Sequence, residues 1–474
     1  MLIGTMLGYF AVVMAIGLIA ERRTRDDDDF MLGGRRTGPW VAAVGAAASS
    51  SSAWTLLGVS GAAYAWGISA LWLLPACVGG FALNWFFMAP AIRDFGHDEG
   101  ATSVPDILGR NHPPTRIYAA LLILASMSAY VAAQYQGAGK TFSVVFGVAP
   151  ELAVLIGAAA VLAYTVLGGF VAVSLTDTVQ GLVMAVTALF LPLAALVEVG
   201  GLTELAARLT ILEEPGFLSL GGPRPPLIGA GFAAGLLGIG LGYPGQPHVV
   251  KYFLAMERRP GSISRARVIA MTWAVLVYGG MILLGLCGRA LFPALADREI
   301  VLVKVAESVA HPILAGVMLS AVLAAIMSTA DSQLLVAAGA VTSDLGIGKE
   351  APKRTRLWIV RGTVLLLSLV AVTAALVGTE EIFSAVLFGW AAMGAGFAPG
   401  LILRVVLGRT VRAGAMATIV VAGSSLAVVG HLYASGDLRN LFIHVMPFTV
   451  AFGLGLVLSS KAAPSEEAAT PASM

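Results

Sequence analysis

One short segment combines hydroxyl and carboxylate side chains within an otherwise small and apolar stretch. It is LAAIMSTADSQLL, residues 323–335, and it carries Ser328, Thr329, Asp331 and Ser332. A carboxylate at the centre of a membrane helix costs about 2.5 to 3.5 kcal/mol on insertion scales, so it marks a functional position. Hydroxyl and carbonyl oxygens can replace the hydration shell of a hard cation such as sodium. The segment predicts a cation site, although hydroxyls that only bond carbonyls one turn earlier would have the same composition.

Two further stretches predict interruptions of apolar helices. VGAAASSSSAW, residues 44–54, sets four serines among small residues, and GIGLGYPGQPHVV, residues 238–250, contains four glycines and two prolines. Proline and glycine leave carbonyls without helical donors. Such backbone is tolerated in lipid only where it lines a cavity enclosed by protein. We therefore expect both breaks to border a polar site.

Membrane helices are the elements that must position these residues. Of the 474 residues, 58% are hydrophobic and 12% charged, and the mean hydropathy is +0.87, which is typical of a polytopic membrane protein in a lipid bilayer. Apolar runs of about 20 residues predict about thirteen spans. They lie near residues 2–20, 39–65, 68–92, 116–146, 151–167, 171–197, 227–252, 268–292, 311–342, 358–377, 382–405, 413–432 and 440–459.

The interrupted spans each open a group of five, a placement typical of transporters built from inverted repeats. The predicted fold is an all-α polytopic membrane protein with a five-plus-five inverted-repeat core. Its expected divisions are the first helix and loop (1–38), the first repeat (39–198), an extracellular loop (199–226), the second repeat (227–405), two C-terminal helices (406–460) and a cytoplasmic tail (461–474).

The basic residues predict the orientation in the membrane. If the spans alternate, cytoplasmic loops hold 22 of the 29 lysines and arginines, beginning with Arg22, Arg23 and Arg25 and including Lys251. This bias places the N-terminus outside and the C-terminus in the cytoplasm of a bacterial cell (inner) membrane. The net charge of +2 reflects this topology and indicates no nucleic-acid partner. Nothing in the sequence indicates an oligomeric state.

The segment YTVLGGFVAVSLTDTVQG, residues 164–181, predicts a tight connection followed by a polar helix face. Gly168 and Gly169 form the connection, and the spacing of Asp177 and Gln180 places them on one face of the next helix. Polar residues near a membrane interface are the alternative interpretation.

A third group of polar residues lies in the fourth and seventh spans. Tyr130 and Gln134 share a helix face that could look into a solute cavity, while Lys140 either reaches the headgroups or contacts an anionic solute. His248, beside a helix break, is expected to be a structural donor rather than a proton relay.

Five motifs in order resemble the sodium:solute symporter family, most closely its bacterial sodium/proline branch. They are DFMLGGRR (29–36), YTVLGGFVAVSLTDTVQ (164–180), GYPGQPHVVKYF (242–253), AAIMSTADSQL (324–334) and WAAMGAGFAPGL (390–401). The resemblance implies a fold like that of the leucine transporter, with Na+ as the coupling ion.

The resemblance also implies a set of site residues. Sodium would be held by the carbonyls of Ala48, Ser51 and Ala325 and the hydroxyls of Ser328 and Thr329. We expect a second cation or ion path at Asp177, Ser50 and Asp331. Asp177 matches the family's aspartate in the sixth span, whereas Asp331 is included because it is a carboxylate within a membrane helix. Trp54 and Tyr243 match substrate-pocket positions of that branch. We expect the substrate pocket to include them together with the cavity-facing Tyr130 and Gln134 and with Gln246. The proline branch has an aspartate at Ser50, a tryptophan at Ile239 and a tyrosine near Ser126, so we expect an amino acid or small carboxylate rather than proline in particular.

These observations predict a symporter that imports a small organic solute with sodium by alternating access. A transporter-fold sensor that signals to a separate partner, or a proton-coupled symporter using Asp177 and Asp331, are the alternatives. An enzyme would need a nucleophile paired with a base, or a metal motif such as H-E-x-x-H, and we find neither in the sequence. Cys77 and Cys287 lie in apolar stretches without the spacing of a transition-metal site.

Overall fold

A computed structural model describes the chain over residues 1–21, 32–165, 169–212, 215–378 and 381–461. Three features predicted above lie outside these residues. They are the basic loop with Arg22, Arg23 and Arg25, the first glycine of the connection at Gly168, and residues 462–474 of the tail.

Helices account for nearly all of the described chain, as expected where backbone groups must be satisfied within a span. In chain order they are α1 (Leu2–Glu21), α2 (Pro39–Ser50), α3 (Val59–Trp66), α4 (Leu73–Ala82), α5 (Ala89–Glu99), α6 (Val104–Leu108), α7 (Pro113–Phe146), α8 (Pro150–Thr165), α9 (Phe170–Val199), α10 (Leu202–Ile211), α11 (Pro226–Gly238), α12 (Pro247–Leu254), α13 (Ser262–Leu291), α14 (Val301–Val309), α15 (Pro312–Gly339), α16 (Lys353–Val377), α17 (Ile382–Leu401), α18 (Ala413–Tyr433) and α19 (Met446–Leu458). A short antiparallel ribbon pairs β1 (Arg409–Val411) with β2 (Ser459–Lys461).

The described residues contain ten helical runs long and apolar enough to cross a membrane, and two shorter apolar helices. The predicted number of thirteen spans is therefore not confirmed. One reason is the interrupted second span: α2 has only 12 residues, and the run Trp54–Glu99 joins its second half to the third span. Gly67 turns the chain within this run, with φ of +62°.

The centre of the bundle is formed by α15 and α17, the two most buried spans. Helix α15 packs against α9, α7 and α2, and α13 packs against α9 and α3. Small residues allow the closest approaches: a Cβ atom added at Gly280 of α13 would lie 2.0 Å from the carbonyl oxygen of Ala188 in α9. The polar segments identified in the sequence thus meet inside the bundle.

Candidate ion and solute site

The first predicted break is present, and side chains satisfy its backbone. Helix α2 ends at Ser50, and Ser51 leaves helical geometry with φ −111° and ψ 85°. The hydroxyl oxygen of Ser52 accepts the Trp54 N–H at 3.1 Å, and the amide oxygen of Gln134 accepts the Ala53 N–H at 3.0 Å. The second half of the span therefore begins with two side-chain caps, one supplied by α7.

The second predicted break is also present, between α11 and α12. Residues Ile239–Gly245 form a 3₁₀ helix, and Gln246 is extended. Three side chains donate to the carbonyls of this segment: Trp390 Nε1 to Ile239 at 3.0 Å, Gln246 Nε2 to Gly242 at 3.0 Å, and Asn84 Nδ2 to Tyr243 at 3.3 Å. Protein groups replace the missing helical donors, as buried irregular backbone requires.

The predicted sodium ligands come together between α2 and α15. The Ser328 hydroxyl donates to the carbonyl oxygens of Ala48 at 3.2 Å and Ala325 at 3.3 Å. The Ser51 N–H also donates to the Ala48 carbonyl, at 3.1 Å. The Thr329 hydroxyl is buried and has no hydrogen-bond partner among the described residues. Oxygen atoms from two distant segments thus converge at the first break, and their role as sodium ligands stays a prediction.

A second polar cluster surrounds the predicted ion-path carboxylates. Asp177 and Asp331 are both fully buried. Asp177 Oδ2 accepts from the Tyr252 hydroxyl at 2.5 Å and the Ser332 hydroxyl at 2.9 Å, while its Oδ1 has no partner among the described residues. Asp331 Oδ1 accepts the Ser332 N–H at 2.5 Å. Ser332 therefore contacts both carboxylates and joins α9 to α15.

Ser50 does not join this cluster through any hydrogen bond of the described chain. Its hydroxyl donates to the Ala47 carbonyl at 3.0 Å, within its own helix. Gln180 is buried on the same helix as Asp177. Neither its amide nitrogen nor its amide oxygen has a hydrogen-bond partner among the described residues.

The predicted substrate residues all lie beside the two breaks. The hydroxyls of Tyr243 and Tyr278 are 2.7 Å apart, and Tyr278 lies 3.3 Å from the Ser51 hydroxyl. The Tyr130 hydroxyl donates to Ser52 at 3.4 Å. The Gln134 amide makes two contacts here: its oxygen accepts the Ala53 N–H, and its nitrogen donates to the Tyr130 carbonyl at 3.4 Å. The geometry therefore makes Gln134 a cap of the break.

Several polar atoms at this place have no hydrogen-bond partner within the described chain. They include Trp54 Nε1, Gln246 Oε1 and both ring nitrogens of His248. All three residues are buried, and the His248 ring lies 6.4 Å from the Tyr130 ring. The expectation that His248 is a structural donor is wrong in this conformation, because it donates to no described group.

Two lysines have surroundings that the sequence does not predict. Lys140 forms two ion pairs: its Nζ lies 2.6 Å from Glu299 and 2.8 Å from Asp297. Lys251, assigned above to a cytoplasmic loop, lies within α12 and is only 7% exposed. Lys251 departs from the charge pattern because helix packing, rather than a loop, surrounds its side chain.

Several residues of the site were missed by sequence reasoning. Tyr278 and Trp390 bind the two breaks from α13 and α17, and Phe383 packs against Trp54 with ring centroids 5.5 Å apart. Glu299 accepts the N–H groups of Ile382 and Phe383 at the start of α17. The sequence could not reveal these contacts, because they join helices that are distant in sequence. The signal it did offer was Tyr278, a tyrosine within an apolar helix.

Two interrupted helices that meet beside buried oxygens, within a bundle of membrane helices, define a secondary transporter rather than an enzyme. A solved structure supports this fold: a substrate-bound, outward-open Na+-coupled sialic acid symporter aligns with a TM-score of 0.79 at 18% identity, covering 98% of this chain and 99% of that one. The fold is of the leucine-transporter type.

The chain belongs to the sodium:solute symporter family, whose model matches residues 30–422. It is 36% identical over 472 residues to the sodium/proline symporter of Salmonella typhimurium, covering 95% of this chain and 91% of that protein. It is 32% identical over 448 residues to a high-affinity proline transporter of Bacillus subtilis, covering 92% of each. The protein is thus a membrane transporter that performs sodium-coupled solute import.

Proposed function

We propose that Na+ binds between α2 and α15, held by the carbonyls of Ala48, Ser51 and Ala325 and the hydroxyls of Ser328 and Thr329. The contact that carries this proposal is the Ser328 hydroxyl, which joins the carbonyls of Ala48 and Ala325 across two helices 280 residues apart in sequence. The Thr329 hydroxyl beside it, which has no hydrogen-bond partner in the described part of the chain, supports the same assignment. An ion held by both helices would favour one arrangement of the two repeats, which is the requirement for coupling.

A second cation position or ion path is proposed at Asp177, with Asp331 beside it. Asp177 Oδ1, which has no hydrogen-bond partner among the residues that the structure describes, supports this role, as does the Ser332 hydroxyl that contacts the same carboxylate. Ser50 contributes through its place at the end of α2 rather than through a hydrogen bond to the carboxylates.

The solute is proposed to be a small amino acid bound beside the broken helices. Trp54 Nε1 is a buried donor and Gln246 Oε1 a buried acceptor, and neither has a partner in the described chain. Buried polar groups without partners are costly, so a ligand is expected to use them. A solute carboxylate could accept from Trp54 Nε1, and a solute ammonium could donate to Gln246 Oε1. Tyr130 and Tyr243 complete the pocket. Proline is the first candidate, because the relatives at 36% and 32% identity are named for it.

The proposed orientation places the N-terminus outside and the C-terminus in the cytoplasm of the bacterial inner membrane. The positive charge bias supports it, as does the match to bacterial relatives. The division into repeats at 39–198 and 227–405 is part of the same proposal.

A thermal-shift screen of the purified protein tests the proposal. Proline, other amino acids, small carboxylates, sugars and vitamins are each added with sodium or with potassium. We expect an amino acid to raise the melting temperature in sodium only, since a ligand at 100 times its Kd adds about 2.7 kcal/mol to apparent stability. A response that is equal in potassium would contradict sodium coupling, and a response to sugars alone would contradict the solute class.

A further inference from the structure

Four buried hydroxyl groups form a continuous chain between the two helix breaks. The Tyr278 hydroxyl, on α13, lies 2.7 Å from the Tyr243 hydroxyl in the second break. On its other side it lies 3.3 Å from the Ser51 hydroxyl and 3.4 Å from the Thr55 hydroxyl, in and just after the first break. All four side chains are at most 2% exposed. We name these four groups the hydroxyl chain.

The two ends of the hydroxyl chain lie at different proposed sites. Ser51 is a proposed sodium ligand through its carbonyl, and Tyr243 belongs to the proposed solute pocket. Tyr278 itself packs edge-on against Trp54, another pocket residue, with ring centroids 6.4 Å apart. The hydroxyl chain therefore connects the ion site with the solute site through α13, a helix that supplies no proposed ligand to either.

The number of protons in the hydroxyl chain exceeds the number of its hydrogen bonds by one. Four hydroxyls carry four protons, whereas the contacts among them are three hydrogen bonds, each of which uses one proton. None of the four hydroxyls bonds any other group in the part of the protein that the structure describes. One proton is therefore free to donate to a ligand.

The direction of the Tyr278 hydroxyl decides where the spare proton lies. When Tyr278 donates to Tyr243, the hydroxyls of Ser51 and Thr55 both donate to Tyr278, and the Tyr243 proton is the spare one. When Tyr243 donates to Tyr278, the spare proton lies instead on Ser51 or Thr55. Hydroxyl protons rotate to suit their surroundings, so both directions are accessible.

Sodium at the first break would favour one of these directions. A cation attracts the oxygen end of a neighbouring hydroxyl and repels its proton. An ion at the Ser51 carbonyl would therefore turn the Ser51 proton toward Tyr278, and each hydrogen bond would then polarise the next. The spare donor would lie at Tyr243, where it matches the acceptor carboxylate of an amino acid.

We infer that the hydroxyl chain couples sodium binding to solute binding, with Tyr278 as its positioning residue. The inference rests on the proposed function, since it requires sodium at Ser51 and a carboxylate on the solute. Coupling between two sites is reciprocal, so a carboxylate at Tyr243 strengthens sodium binding by the same factor. Tyr278 acts through its neighbours and needs no contact with the ion or the solute.

Uptake kinetics of the full-length protein in liposomes test the role of Tyr278. The KM for the amino acid that responds in the thermal-shift screen is measured at low and at saturating sodium. Sodium should lower the KM of the parent. In Tyr278→Phe, which keeps the ring, we expect the ratio of the two KM values to fall about threefold to tenfold, the effect of losing a buried hydrogen bond. Tyr135→Phe removes a buried hydroxyl that lies 3.1 Å from Ser368, and as the matched control it should keep the parent's ratio.

A second set of substitutions interrupts the hydroxyl chain at its other end, and covers the case in which Tyr278→Phe does not fold. Ser51→Ala combined with Thr55→Val removes both donors to Tyr278 but keeps the Ser51 carbonyl. This double variant should show a reduced KM ratio like that of Tyr278→Phe, and combining all three substitutions should add little, because members of one network are not independent. An unchanged ratio in the double variant, or fully additive losses, would overturn the inference.

The chemistry of the solute separates the direction of the hydroxyl chain from a structural role. With sodium present, the donor at Tyr243 should favour the amino acid over its primary amide, measured as competition for uptake. Tyr278→Phe should reduce this preference, whereas a packing defect would weaken both compounds equally. An unchanged preference, or an unchanged KM ratio, in Tyr278→Phe would overturn the inference. Uptake by the parent that does not depend on sodium would instead contradict the proposed function.

Discussion

At the scale of single residues, the hydroxyls of Ser328 and Thr329 differ in their contacts although they are adjacent. Ser328 donates to carbonyls on two helices, whereas Thr329 has no hydrogen-bond partner in the described chain. A buried hydroxyl without a partner is costly unless a ligand uses its oxygen. Thr329 is therefore expected to contribute to sodium binding more than to stability.

Replacing either hydroxyl should weaken sodium binding. We expect Ser328→Ala and Thr329→Ala each to raise the sodium concentration for half-maximal uptake about tenfold, the effect of losing roughly 1.4 kcal/mol of binding energy. Uptake is measured against sodium at fixed solute. Ser320→Ala is the matched control, because this buried hydroxyl of α15 donates only to the Gly316 carbonyl one turn earlier. Unchanged sodium dependence in both variants would remove them from the site.

At the scale of helices, close packing of α13 on α9 depends on one glycine of an adjacent pair. A Cβ atom at Gly280 would lie 2.0 Å from the Ala188 carbonyl oxygen, whereas one at Gly279 would meet nothing within 4 Å. We expect Gly280→Ala to lower stability by about 1 to 3 kcal/mol, because the helices must separate. Gly279→Ala should be neutral or stabilising by up to about 1 kcal/mol, from its better helix propensity. Thermal unfolding in detergent measures both, and equal effects would contradict this packing.

The helix breaks could be predicted from sequence because their cause is local. Serines at 49–52 and the glycines and prolines of 238–250 weaken a helix wherever it lies. Their partners could not be predicted, since Gln134 caps Ala53 from α7 and Trp390 binds Ile239 from α17. These contacts are set by how distant helices pack. The same limit applies to Gln134: the sequence does not reveal its contact with Ala53, and its role at the solute stays a prediction.

At the scale of the whole molecule, the proposed orientation predicts which loops face outside. Ser435, between α18 and α19, should be outside, and Thr410, in β1, should be cytoplasmic. Both are exposed, and the native cysteines are buried. In intact cells, a membrane-impermeant maleimide should label Ser435→Cys but reach Thr410→Cys only after the cells are opened. The reverse pattern would invert the proposed topology.

The Ser328 hydroxyl has a consequence for the return of the carrier after sodium leaves. It donates to the Ala48 and Ala325 carbonyls, on α2 and α15. A cation shared by the Ser328 and Ala48 oxygens would require the hydroxyl proton to rotate away, so sodium would replace an existing bond between α2 and α15. The same pair of atoms would then hold the helices together with or without the ion. Release of sodium would therefore leave no unsatisfied carbonyl at Ala48, which lowers the cost of returning the empty carrier.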